Sequence, residues 1–199
     1  MKSLMMSSQL FYRDFVEMID QSRNSINDGE SLFQHRKTCI SGYMALDCAM
    51  SVFWKEVVVP DWVNLMGMCN EILGSDSDLE ELVAKMGTAL SRGQVVASLR
   101  FLENTGDPQR FSPSLVDLGI MMILMQDRAQ QLPFIEIGHK LCRLQKFRNC
   151  VFHTGKNFSE IEAATSMKGL KDLFVELPRI SPVFRDAFNE KPQAAKRAA

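Results

Sequence analysis

The sequence predicts an all-α protein, a single antiparallel bundle of about six to eight helices. Three observations point there. Apolar residues recur at three- and four-residue spacing through most of the 199 residues, as they do along one buried helix face. No stretch shows the apolar–polar alternation of a half-buried strand. Clusters of glycine, proline, serine and asparagine punctuate the periodic runs where helices must turn. With 46% hydrophobic and 24% charged residues, the composition is that of an ordinary globular domain.

In chain order, Ser7-Ser8 caps a first helix from about Gln9 to Ser25, with Leu10, Phe11, Phe15, Met18 and Ile19 on its apolar side. After a turn over Asn24 to Gly29, a long helix runs from about Glu30 to Val57. Its ladder of Leu32, Phe33, Cys39, Ile40, Tyr43, Met44, Cys48, Phe53, Trp54 and Val57 marks it as central to the core. Gly42, Ala45 and Ala49 are small enough to admit another helix closely. Pro60 ends this element and opens the next, Asp61 to Leu73. Ser77 followed by Glu80 reads as a capping box for a helix from Leu79 to Arg92. Gly93 separates it from a shorter one, Gln94 to Glu103.

Asn104-Thr-Gly-Asp-Pro108 is a breaker, but the chain before it lacks linker composition. One domain is therefore expected over residues 1–188, with 189–199 a disordered polar tail. A helix starting at Ser112-Pro113 and reaching Gln130 is apolar almost all round between Leu115 and Met125, which predicts deep burial or a subunit contact. Leu132-Pro133 opens the helix Phe134 to His153, stopped by Thr154-Gly155. Asn157 or Ser159 caps a further helix, Glu160 to about Glu176. Pro178 and Pro182 are expected to break structure, with a short helical turn from Val183 to Phe188.

A formal net charge of -1 excludes a protein that coats nucleic acid over its whole surface, while leaving room for a local basic site. The five cysteines are odd in number and form no Cys-x-x-Cys, so reduced thiols and a cytoplasmic location are expected. The N-terminus lacks the sustained apolar core of a secretory leader, and the longest apolar run, Gly119 to Met125, is too short to span a bilayer. No membrane partner is expected. Neither are a metal or a cofactor: no zinc spacing or phosphate-binding glycine loop occurs, and Asp76-Ser-Asp78 lacks the glycine and glutamate spacing of a calcium loop.

The stretch that carries chemistry is Arg148-Asn-Cys-Val-Phe-His153. At helical spacing Asn149 and His153 share a face and Arg148 borders it. An arginine grips phosphate oxygens in a fork, and a histidine moves a proton near neutrality. Phosphodiester chemistry uses both. Between Ile137 and Ser159 the chain carries Lys140, Arg143, Lys146, Arg148 and Lys156 but no acid. That segment predicts RNA contacts for Lys140, Arg143, Lys146 and Lys156. The plainer reading is that Arg and His complement the helix dipole at a C-terminus. Cys150 is a poor candidate nucleophile, because Val151 and Phe152 beside it suggest packing.

An arginine, four intervening residues and a histidine near a helix end, with Asn149 as the polar residue after the arginine, resembles the HEPN family of all-helical proteins. Ser41 to Met50, a small-residue, tyrosine-bearing stretch of the long helix, is similar to such proteins as well. The resemblance implies a HEPN-like bundle and a metal-independent endoribonuclease that works as a homodimer, two motifs meeting in one cleft. It further implies that Arg148 holds the scissile phosphate, that Asn149 orients, and that His153 serves as general acid or base while a ribose 2′-hydroxyl attacks. A role in toxin–antitoxin systems or phage defence, with an antitoxin or other regulatory protein as partner, belongs to the same expectation. Some toxins of the family carry a modifiable tyrosine two residues after the histidine; here Gly155 stands there, which puts that mode of silencing in doubt. Two other readings stay open: a non-catalytic HEPN-like module that binds RNA or protein, and an unrelated helical interaction protein.

Overall fold

A computed structural model describes residues 1–24, 28–129, 134–153 and 159–188, without the side chains of 22–24, 28–34, 126–129 and 153. The protein is all-α, and the described residues contain no strand. Nine α-helices are described: α1 (Lys2–Asn24), α2 (Asp28–Phe53), α3 (Trp62–Gly74), α4 (Asp76–Met86), α5 (Arg92–Glu103), α6 (Leu115–Ala129), α7 (Phe134–His153), α8 (Glu160–Ile180) and α9 (Pro182–Ala187). A π-helical turn, Trp54–Val58, and a 3-10 turn, Val59–Asp61, join α2 to α3. Among the described residues no helix is long and apolar enough to cross a membrane. The chain divides into two compact units, Met1–Val52 with Arg148–Ala199, and Phe53–Phe147. The expected tail, 189–199, lies outside the described residues.

The first unit is built around α2. Cys39, Tyr43, Leu46 and Met50 recur at helical spacing along it and are fully buried. The expected ladder holds in part: Cys39, Tyr43, Phe53 and Trp54 are buried, Ile40, Met44, Cys48 and Val57 are half-buried, and the side chains of Leu32 and Phe33 lie outside the described residues. Gly42, Ala45 and Ala49 are buried as expected, and Ser41 with them. The reason is that α2 has neighbours on more than one side, so small residues occupy the closest approaches. A methyl group on Gly42 would come within 2.8 Å of Phe15 on α1 and of Leu170 on α8. Ser8 faces Ala45 while Phe15 faces Gly42, so α1 and α2 run antiparallel. Cys39 meets Ala163 and Tyr43 meets Ser166, so α2 and α8 run the same way.

Ser8 is no cap. α1 begins earlier, at Lys2, and the buried Ser8 hydroxyl donates to the Ala45 carbonyl at 2.8 Å. α8 does start at a cap: Ser159 and Glu162 satisfy each other's backbone N–H groups at 2.9 and 3.2 Å. Pro178 does not break α8, which continues to Ile180. Its missing N–H removes one hydrogen bond in the final turn, where the helix is ending anyway. Pro182 instead opens α9 behind the N-cap Ser181.

The second unit has caps of its own. Ser75, not Ser77, caps α4, accepting from the Asp78 N–H. The break after α4 falls at Gly87, whose φ of 54° suits a residue without a side chain, and Gly93 sits inside the first turn of α5. Ser91 and Gln94 form the capping box that starts α5. α6 is buried as expected, with Leu115, Leu118 and Ile120 to Leu124 all inward. Ser114 donates its N–H and hydroxyl to Asp117 at 2.9 and 2.7 Å, and buried Asp117 also accepts from Ser98. α6 crosses α7 at two glycines. A methyl on Gly119 would lie 2.8 Å from the Gly138 carbonyl oxygen, and one on Gly138 would lie 2.7 Å from that of Gly119. The breaker Asn104–Pro108 is tied into this unit, since Trp54 donates its indole N–H to the Pro108 carbonyl at 2.8 Å.

Candidate functional site

The last turns of α7, from Arg148 on, belong to the first unit. There Arg148 donates Nε and Nη2 to the carboxylate of Asp47 on α2, at 3.0 and 2.8 Å. Each side chain keeps 28% of its exposure. The guanidinium carbon also lies 5.5 Å from the centre of the Phe152 ring, one helical turn on, in cation–π range. Phe152 meets Tyr43 edge-on at 6.3 Å, and the Tyr43 hydroxyl bonds Ser166 on α8 at 3.0 Å. Arg148 is thus fixed from two sides, by an acid on one helix and a ring on its own.

Burial raises the Asp47 carboxyl above its ordinary value, while the Arg148 hydrogen bonds and charge pull it back down without fully offsetting burial. Burial likewise pushes the Tyr43 phenol up. The ion pair sets the Asp47 carboxylate directly against the Arg148 guanidinium, 2.8 Å from its Nη2.

A second arginine reaches the same turn. Arg36, on α2, donates Nη2 to the Val151 carbonyl at 3.2 Å. Val151 lies among the last residues of α7.

Of the residues expected to act, Arg148 and Asn149 lie in this turn, and Asn149 is exposed. His153 closes α7 in the backbone, but its side chain falls outside the described residues, as does Lys156. Lys140 is half-buried and Arg143 and Lys146 are exposed; all three lie on the part of α7 in the second unit. Cys150 is half-buried, whereas Cys39, Cys69 and Cys142 are buried, with thiols pushed up to about 12 by desolvation. Among the described residues, no three His, Cys, Asp or Glu side chains converge as metal ligands.

Sequence reasoning missed Asp47 and Arg36. Asp47 did leave a trace: it is the sole charged residue between Lys37 and Lys55, in an otherwise apolar run. A carboxylate there needs a cation, and the long helix itself offers none nearby. Arg36 sits in the basic run His35-Arg36-Lys37, but nothing local ties that run to the end of α7.

The chain matches no protein-family model, and no curated protein or solved structure is detectably similar to it.

Proposed function

We propose that this protein is a HEPN-type endoribonuclease that cuts RNA without a metal ion, using Arg148, Asn149 and His153. The observation that carries the reading is the fixed guanidinium of Arg148, locked by Asp47 and Phe152 beside exposed Asn149. A preorganised cation of this kind stabilises charge that develops on a phosphate in the transition state, at little cost in reorganisation. Asp47 takes Nε and Nη2, so a phosphate oxygen would be met by Nη1. In this scheme His153 moves the proton of an attacking ribose 2′-hydroxyl, and the product ends in a 2′,3′-cyclic phosphate. DNA, lacking that hydroxyl, is not cut. Lys140, Arg143, Lys146 and Lys156 supply RNA backbone contacts. Two copies pair to form the working cleft in the cytoplasm, under control of an antitoxin-like or other regulatory protein.

The Asp47–Arg148 pair also favours a second reading. An arginine already neutralised by a half-buried acid can serve the fold alone, which fits a non-catalytic module that binds RNA or protein. Incubating the purified protein with structured and unstructured RNA in excess EDTA separates the two. The ribonuclease reading expects cleavage that Arg148→Ala and His153→Ala each abolish, and cyclic phosphate ends. Cleavage indifferent to both substitutions removes this site from consideration, and RNA binding without cutting favours the second reading.

A further inference from the structure

We infer that Arg36 is a second phosphate-binding cation of the same site, gripping the RNA backbone over the last turn of α7. The inference rests on the RNA reading above and adds to it a residue from a distant part of the chain.

The starting point is charge. Asp47 nearly cancels Arg148, so the strongest candidate for holding a phosphate carries little net positive charge. An anionic strand needs charge from elsewhere in the first unit. Arg36 brings it. Its Nη2 lies 3.2 Å from the carbonyl oxygen of Val151, the residue next to Phe152, whose ring the Arg148 guanidinium covers. Among the described residues Arg36 forms no ion pair. One of its five N–H donors is spent on Val151, and the fork geometry leaves others suited to phosphate oxygens. Lys37 beside it is exposed and adds a second positive charge to the approach.

The contact with Val151 has its own logic. The end of α7 carries the negative pole of the helix, and a cation there is stabilised. That explains why Arg36 settles at this turn before any ligand arrives. It also defines the competing role, a cap that serves α7 alone. The two roles differ in what they do to salt dependence. A cap contributes to folding only, whereas a phosphate contact releases a counterion when RNA binds.

The test measures binding of a single-stranded 2′-O-methyl oligoribonucleotide, which cannot be cut, to the full chain over a range of NaCl concentrations. Wild type, Arg36→Gln and Arg36→Lys are compared, with thermal midpoints recorded for each. Arg36→Gln keeps an N–H donor for the cap and loses the charge. It is expected to lower the slope of log K against log salt by about 0.7 and to weaken binding roughly three- to tenfold at low salt. Arg36→Lys is expected to restore the slope. An unchanged slope in Arg36→Gln, with only a lower melting midpoint, overturns the inference and makes Arg36 a cap, while RNA cleavage by the wild type would still stand. If the wild type neither binds nor cuts RNA, the ribonuclease reading fails and this inference with it.

Discussion

The carboxylate of Asp47 and the guanidinium of Arg148 meet edge to edge, with two hydrogen bonds of 3.0 and 2.8 Å, although 101 residues separate them in the chain. The pair spans α2 and α7, and it sets where the Arg148 side chain points.

Replacing the acid therefore has two separable effects. Asp47→Ala leaves the Nε edge of Arg148 without its acceptor and is expected to cost about 1–3 kcal/mol of stability. It also lets the guanidinium swing, so RNA turnover should fall about ten- to a hundredfold. Asp47→Asn keeps an acceptor oxygen but removes the negative charge. Its RNA affinity should rise roughly threefold at low salt, with a steeper salt slope. Urea titration, RNA turnover and RNA binding on both variants check this. Equal stability and equal turnover of the Ala and Asn variants would contradict it.

The same carboxyl predicts a pH dependence. Its value in the folded chain is raised above the ordinary 3.8, with burial as the leading cause. In that window the folded state holds a proton that the unfolded chain has released. Stability from this group is thus fully present below pH 3.8 and is lost as pH rises through the folded value. Wild type should lose stability relative to Asp47→Asn as pH climbs from 3.8, with the difference levelling off above the folded value. Urea midpoints measured at closely spaced pH values read this directly. A gap that widens in favour of the wild type would show that the Arg148 pair outweighs burial.

The close helix crossings predict a ranking. Gly42→Ala forces a methyl against side-chain atoms of Phe15 and Leu170, which shift slightly, and should cost about 1–2 kcal/mol. Gly119→Ala and Gly138→Ala each press on a backbone carbonyl, which cannot turn aside, and should cost about 3 kcal/mol or more. The helix propensity gained from alanine, about 1 kcal/mol, does not offset this. Equilibrium unfolding of the three variants gives the order.

Thiol labelling tests the burial pattern. Cys39, Cys69 and Cys142 are buried, with thiols raised to about 12, so iodoacetamide at pH 8 should leave them unmodified in the folded protein. Cys150 is half-buried and should be modified sooner. Mass spectrometry of the labelled peptides shows which cysteines react, and modification of Cys39 ahead of Cys150 would contradict the packing described for α2.

Much of the helical content was legible because it is written locally. The 3.6-residue period marks α8 and a continuous apolar run marks α6, while the choice between Asn157 and Ser159 as the cap of α8 stayed open until the structure showed Ser159 paired with Glu162. At α4 the Ser77–Glu80 spacing pointed to the wrong serine, because Ser75 two residues earlier takes the cap. The inward face of α2 was read only in part, with Cys39 and Tyr43 placed and Leu46 and Met50 missed, because periodicity assumes one buried side and that helix has neighbours on several. In the candidate site, the local order Arg148-Asn149 was readable from the chain. The partners of that turn, Asp47 and Arg36, were not, because tertiary packing brings them there from more than a hundred residues away.

The meeting of Gly119 and Gly138 has a consequence for ancestry. Each position is blocked by the other's main chain, so no exchange of neighbouring side chains can make room for a larger residue at either. In any diverged cousin that retains this crossing, both sites must stay glycine while the surrounding letters drift. Two fixed glycines on successive helices would then identify kinship after overall resemblance has faded.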